Sequence, residues 1–488
     1  MPNGPGGEHA VAASASESQG GLKRSAIGWG AAAVIGAVFL SPALGLYANI
    51  GTVVGTSGNV APAVWLVAGL LAMLNATNYA MVSSRMPAAG SAFTWTWNLM
   101  RPKVGGLIGW VMLGYYLTIT LTLPLLFGLF FNAFLNALSV PTGYGTWAIG
   151  VILCSALVAV PAYRNIEVGT KTALILLLFE AGVVLVLALT LLVVRGKEGL
   201  LTAAPLNPGN ATSSSSFFLA LVFGVFAYTG FDAVSTVAEE THTPRAKLPQ
   251  ATIAAVALVG VFWLIVTYAL SFALPLKEVQ DAIASNLTPV APMAKAVWGS
   301  GEIIVDFTGM TAAAAVYLAA AMSTSRVVYA QGRDGILPNF VARLNPRHRT
   351  PWNALHIIFV VAIVGTLAGA AVVGILNFFA WAASATMFFG LIMYSATAVG
   401  NFLVHRRDGG GRWFTTIVVP VLAVLVNAYL FYKFYFDVLW HQGFALGQSI
   451  TITCVAFVII GAGYIAVLAK RKPEVFTKDS YYLDEVAG

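Results

Sequence analysis

Apolar residues in this chain neither alternate nor keep to one face of short helices; they come in unbroken runs. LILLLFEAGVVLVLAL (174–189) holds one polar side chain, and runs of similar character recur from end to end. An α-helix needs about 20 such residues to cross a hydrocarbon layer. The pattern predicts about twelve spans, at 27–57, 60–83, 105–135, 144–163, 170–195, 216–239, 251–274, 303–330, 353–370, 374–404, 413–436 and 446–469. A membrane β-barrel would show segments of about ten residues alternating apolar and polar, and none is found. The expected class is an all-α, multi-pass membrane protein.

Composition agrees: 58% of the 488 residues are hydrophobic and only 9% charged, far from a soluble domain of that length. The net charge of +7 then reads as topology. An even number of spans puts both termini on one side. With that side inside, Arg195, Lys197, Lys277, Lys295 and Lys433 fall outside and the other Lys and Arg fall inside, so the termini are expected in the cytoplasm of a cell-membrane protein. The basic residues are dispersed among loops, which gives no reason to expect a nucleic-acid partner. Cys154 and Cys454 fall inside apolar spans, and the histidines show no metal-ligand spacing, so neither a disulfide framework nor a metal or cofactor site is expected.

Two spans are interrupted. The first contains FLSPALGLY (39–47) and the sixth FAYTGFD (226–232), with Pro42, Gly45 and Gly230 in otherwise apolar runs. Unwound backbone at that depth survives only where it is buried in protein or lines a cavity. The first and sixth spans hold corresponding places in two sets of five, and such pairs of discontinuous helices point to an inverted-repeat carrier. Single breaks could equally be kinks.

The chain resembles permeases of the amino acid-polyamine-organocation (APC) superfamily. YAMVSSRMPAAGSAFTWTWNLMRPKVGGLIGW (79–110) is similar to the segment around the second span of those permeases. GFDAVSTVAEETHTPRAKLP (230–249) resembles their sixth-span signature, and SRVVYAQGRDGILP (325–338) with TPWNAL (350–355) resembles the elements after their eighth span. The resemblance implies the LeuT-like five-plus-five inverted repeat: a cytoplasmic tail (1–26), a first repeat (27–200), a second (201–405), two further helices (406–470) and a second tail (471–488). It also implies a secondary transporter, not an enzyme, that imports amino acids or related organic amines by alternating access. Substrate would lie against Ser41, Pro42, Ala43, Leu44 and Gly45 of the first helix and Phe226, Ala227, Tyr228, Thr229 and Gly230 of the sixth, with Phe226 as a gate. One departure is Ser41-Pro42-Ala43 where many members have a Gly-Ser-Gly type segment. Proline offers no N–H to a carboxylate, and this form, with GFDAVST, also looks like bacterial putrescine importers, while GFDAVST is similar to cationic amino acid permeases as well. A substrate with an ammonium group is expected, its carboxylate left open.

Ionisable groups inside spans are costly and mark ion or substrate pathways. Glu180 is isolated in apolar sequence, which suits a carrier of protons. By the resemblance it stands where some proton-coupled relatives have a lysine, with Ser323 and Thr324 near the sodium site of sodium-coupled ones. A sodium ion held by the carboxylate, the hydroxyls and backbone carbonyls is the second reading, and a structural hydrogen bond between helices the third. Asp232 is expected to cap the helix after the break, or to meet a substrate ammonium beside Tyr115 and Tyr116. Glu239 and Glu240 reach the cytoplasmic mouth, where Arg326 and Arg333 offer partners for a gate; an ordinary solvated helix end is the other reading. A channel would favour a repeated pore segment, and an enzyme a metal or nucleophile constellation; neither is seen.

Overall fold

The computed structural model describes residues 21–285, 289–409, 412–443 and 447–481. All named elements are helical: α1 (Trp29–Leu40), α2 (Leu44–Ser57), α3 (Ala61–Ser83), α4 (Ala92–Leu99), α5 (Pro102–Ala137), α6 (Tyr144–Ala162), α7 (Ile166–Lys197), α8 (Ser214–Ala227) and α9 (Ala233–Thr236). There follow α10 (Pro244–Leu270), α11 (Leu276–Ser285), α12 (Val290–Trp298), α13 (Ile303–Arg333), α14 (Trp352–Val373), α15 (Ile375–Asp408), α16 (Val419–Tyr432) and α17 (Ser449–Arg471).

Among the described residues, 11 helical stretches are long and apolar enough to cross a membrane, with α1 and α2 counted together. The sixth expected span, 216–239, is where the count departs from twelve. Only the 14 residues of α8 are helical without interruption, and the rest is spent on a turn, on α9 and on a 3₁₀ turn at Ala238–Glu240.

Local chemistry sets the helix ends. Asn165 accepts from the Val168 N–H at the start of α7, and Ser213 forms a reciprocal capping box with Ser216 at the start of α8. Prolines open α5 and α10, where a missing N–H costs nothing. The bundle is layered by burial. In the span ending at Arg333, 72% of the most apolar window is buried, against 17% in α17, so α13 runs through the centre and α17 along the lipid-facing edge. Its alanine-rich sequence, TAAAAVYLAAAMSTS, lets α13 pack closely against α5 and α7. At the periphery α16 is fastened by polar contacts: Asn427 and Asn75 of α3 exchange amide hydrogen bonds at 3.0 Å in both directions.

The described parts of the two tails pack against the bundle. Residues 1–20 and 482–488 of those tails lie outside the described residues. Within 21–26, Leu22 is buried, Lys23 pairs with Glu167 and the Ala26 N–H donates to the Glu240 carbonyl. Residues 473–481 likewise lie along the same face of the bundle, with Arg24 donating to the Tyr481 hydroxyl at 3.0 Å. Residues 21–26 and 473–481 therefore sit together beside Glu239 and Glu240.

Candidate functional site

The first interruption is short. α1 ends at Leu40, Ser41 takes φ +50°, and helix resumes at Leu44, so the unwound stretch is Ser41–Ala43 and not the expected Ser41–Gly45. Pro42 has no N–H to give the Val38 carbonyl. The Leu44 N–H turns to Ser41 Oγ at 3.0 Å, and the Pro42 carbonyl accepts from Trp263 Nε1 of α10 at 2.9 Å. Gly45 makes that indole contact possible, since a Cβ there would stand 2.5 Å from the Trp263 ring.

In the second interruption helix continues through Ala227, and the break covers Tyr228–Asp232 rather than Phe226–Gly230. Gly230 has φ +109°, and its N–H donates to the Tyr394 hydroxyl at 3.3 Å. A Cβ at this position would lie 2.1 Å from the Phe39 ring. The two breaks thus touch each other through Phe39 and Gly230.

Between them is a cavity. Of the expected contact residues, Ser41, Leu44, Gly45, Phe226, Ala227 and Thr229 line it, joined by Asn49, Thr122 of α5 and Thr386 of α15. Its lining is mostly apolar, and no lining residue is charged. Phe226 and Asn49 also line an adjoining chamber that reaches Thr52, Phe223 and Phe434, on the side away from the chain ends. Asn49 escaped the sequence reading although Ser41, Gly45 and Asn49 are spaced by four, the repeat of one helix face. Its amide donates to the Gly45 carbonyl at 2.8 Å. Thr122 and Thr386 carry no such signal.

The remaining expected contact residues are elsewhere. Tyr228 turns away, donating to the Trp65 carbonyl at 3.2 Å and packing edge-on against Trp263. Asp232 makes no side-chain cap to α9. Its carboxylate accepts from Tyr116 (2.6 Å), Tyr394 (2.8 Å) and Tyr115 (3.0 Å), all buried. Capping is therefore replaced by a tyrosine cage, and Asp232, Tyr115 and Tyr116 stand behind the cavity wall, as do Pro42, Ala43 and Gly230. Tyr394 was not anticipated; a tyrosine in a long span has no local mark of its role.

Glu180 of α7 is fully buried and meets the first break directly, its Oε2 accepting from Ser41 Oγ at 2.7 Å. Among the described residues its Oε1 has no hydrogen-bond partner. Neither Ser323 nor Thr324 hydrogen-bonds to it: Thr324 donates to the Ala320 carbonyl of its own helix, and Ser323 Oγ, also buried, has no partner among the described residues. Ser41 thus bridges cavity and carboxyl.

On the side of the chain ends the four expected gate residues pair. Arg326 holds Glu240 through Nε and through Nη2 (2.9 Å), both side chains being 2% exposed. Arg333 holds both oxygens of Glu239, at 3.0 and 3.1 Å. The Ala26 and Ile27 N–H groups cover the Glu240 carbonyl from outside.

Residues 29–465 match the sequence profile of the amino acid permease family, and the chain belongs to that family, within the APC superfamily. It is 27% identical to the low-affinity putrescine importer PlaP of Escherichia coli K12 over 336 residues, 68% of this chain and 71% of that protein. It is 27% identical to the branched-chain amino acid permease BcaP of Lactococcus lactis over 406 residues, covering 77% and 84%. The vacuolar cationic amino acid transporter 4 of Arabidopsis thaliana is 27% identical over 330 residues, covering 63% and 52%. The chain is thus a multi-pass membrane permease and not an enzyme.

Two outcomes follow from this geometry. Gly230→Ala combines a positive φ with a clash against Phe39 and should lower stability by about 1–3 kcal/mol, read as earlier thermal unfolding in detergent. Arg326→Met leaves a buried carboxylate unpaired and should cost about 3–5 kcal/mol, whereas Arg326→Met with Glu240→Leu should recover most of it. Additive losses in that double-mutant cycle would contradict a desolvated pair.

Proposed function

We propose that this permease is a secondary active transporter that imports amino acids or related organic amines by alternating access, coupled to protons. The observation that carries the reading is the contact between Ser41 and Glu180, which ties a buried carboxyl to the wall of the cavity between the two breaks. In this reading Glu180 takes a proton when the cavity faces outward and gives it up when the cavity faces inward. Ser41 reports its state to the substrate site. The ion pairs of Glu239 and Glu240 then form the inner gate, Phe226 the outer one, and the chain ends lie in the cytoplasm by the charge distribution. The repeats are 27–200 and 201–405, hinged at the two breaks.

For the substrate, the uncharged lining favours one ammonium group on a largely apolar body. Backbone carbonyls freed at the breaks suit a single ammonium. A second ammonium at the far end of a diamine would be buried without a partner, at high cost. Of the relatives, the branched-chain amino acid permease therefore offers the nearer substrate chemistry.

A second reading uses the unpartnered Glu180 Oε1 and Ser323 Oγ as ligands of a sodium ion. Proteoliposome uptake of leucine separates the two. An inward proton gradient should drive accumulation in the wild type and not in Glu180→Gln; dependence on a sodium gradient instead would transfer the role to sodium, and gradient-driven uptake by Glu180→Gln would reject the assignment. In competition, leucine or its decarboxylated amine, 3-methylbutylamine, should displace label at least ten-fold better than putrescine, about 1.4 kcal/mol. Equal displacement by putrescine would contradict the substrate reading.

A further inference from the structure

The segment after the last helix is bound to the face that carries the paired acids. From Pro473 the chain makes a 3₁₀ turn and then runs extended to Tyr481 beneath α4 and the end of α13. Its contacts are specific. Phe476 stacks on Trp97 with centroids 5.2 Å apart, and Trp97 Nε1 donates to the Lys478 carbonyl at 2.9 Å. Asn98 brackets Ser480 in the manner of a strand partner: its Nδ2 donates to the Ser480 carbonyl and its Oδ1 accepts the Ser480 N–H, both at 2.9 Å. Ser480 is buried, and its hydroxyl donates to the Asp334 carboxylate while lying 3.0 Å from Thr94 Oγ1.

The last contact reaches the gate. The Arg333 guanidinium lies over the Tyr481 ring, 4.4 Å from its centroid, while the same side chain holds Glu239. The Tyr481 hydroxyl accepts from Arg24 on the N-terminal arm. That arm continues into Ala26 and Ile27, which cover the backbone of Glu240. Residues 473–481 thus join α4, the end of α13, an arginine of one ion pair and the arm that shields the other. Opening this face requires Glu239 to leave Arg333 or the arm to leave Glu240. Either motion pulls against Tyr481.

We propose that residues 473–481 are a latch that holds the inner gate closed, so that release of this strap raises the population of the state open on the side of the chain ends. The physical basis is additive: a stacked aromatic pair, a cation over a ring and a buried hydroxyl on a carboxylate exist only while the face is shut. A state that lacks them gains in population by their loss.

The latch rests on the reading of Glu239 and Glu240 as a gate, and the test separates the two. The reporter is Ser235→Cys, a position that is buried and hydrogen-bonded to Ser91 at 2.6 Å. The two native cysteines, both buried, are replaced by alanine in Cys154→Ala and Cys454→Ala. A charged maleimide is applied to the purified full-length protein, to a chain ending at Lys472, to Ser480→Ala with Tyr481→Ala, and to Glu240→Gln as the gate control. The truncated chain should label about five-fold faster or more, the double variant faster than the parent by a smaller factor, and the gate control also faster. Faster labelling of the control alone overturns the latch and leaves the gate; unchanged labelling in all of them overturns both. If the truncated chain is not recovered folded, the double variant decides alone.

Discussion

Peptide groups inside a hydrocarbon layer must find partners within the protein, and every notable feature of this chain follows from two places where a helix gives them up. At Ser41–Ala43 the lost bonds are replaced by a serine hydroxyl and an indole N–H. At Tyr228–Asp232 they are replaced by tight turns and by a tyrosine hydroxyl. Each repair includes one group distant in sequence, Trp263 at the first break and Tyr394 at the second, so each break draws a distant helix to itself. Phe39 resting on Gly230 makes the two breaks one structural unit.

The fold class was legible because the membrane imposes a long, uniform apolar period that few other structures share. The interruptions were legible too, through Pro42, Gly45 and Gly230, although their extent was not: Leu44, Gly45, Phe226 and Ala227 remain helical, because a single unusual φ at Ser41 or Gly230 is enough to redirect the chain. Sequence alone offers Arg326 and Arg333 as partners of Glu239 and Glu240, and equally an ordinary solvated helix end; the burial of both acids goes with their pairing.

Side-chain direction was not legible. Asp232, Tyr115, Tyr116 and Tyr228 all sit in or near the central spans, and all face away from the cavity. A one-dimensional reading places a residue at a depth in the membrane; it does not set its azimuth when most sides of the helix are apolar. The same limit hid Tyr394 and Trp263, whose roles depend on what a helix more than 150 residues away presents to them. The seating of 473–481 was not legible either, because it rests on a few aromatic and hydroxyl groups that meet a surface built by distant helices.

The cage around Asp232 also bears on how such a bundle can bend. Phenols from two helices grip one carboxylate beside the second break, while a few residues further on Glu240 is clasped by α13 instead. Between these anchorages lie the single turn of α9 and the 3₁₀ turn that ends at Glu240. Were the lower half of this span to swing, the rotation would fall on this short stretch, with the knot of hydroxyls above it as the fixed end.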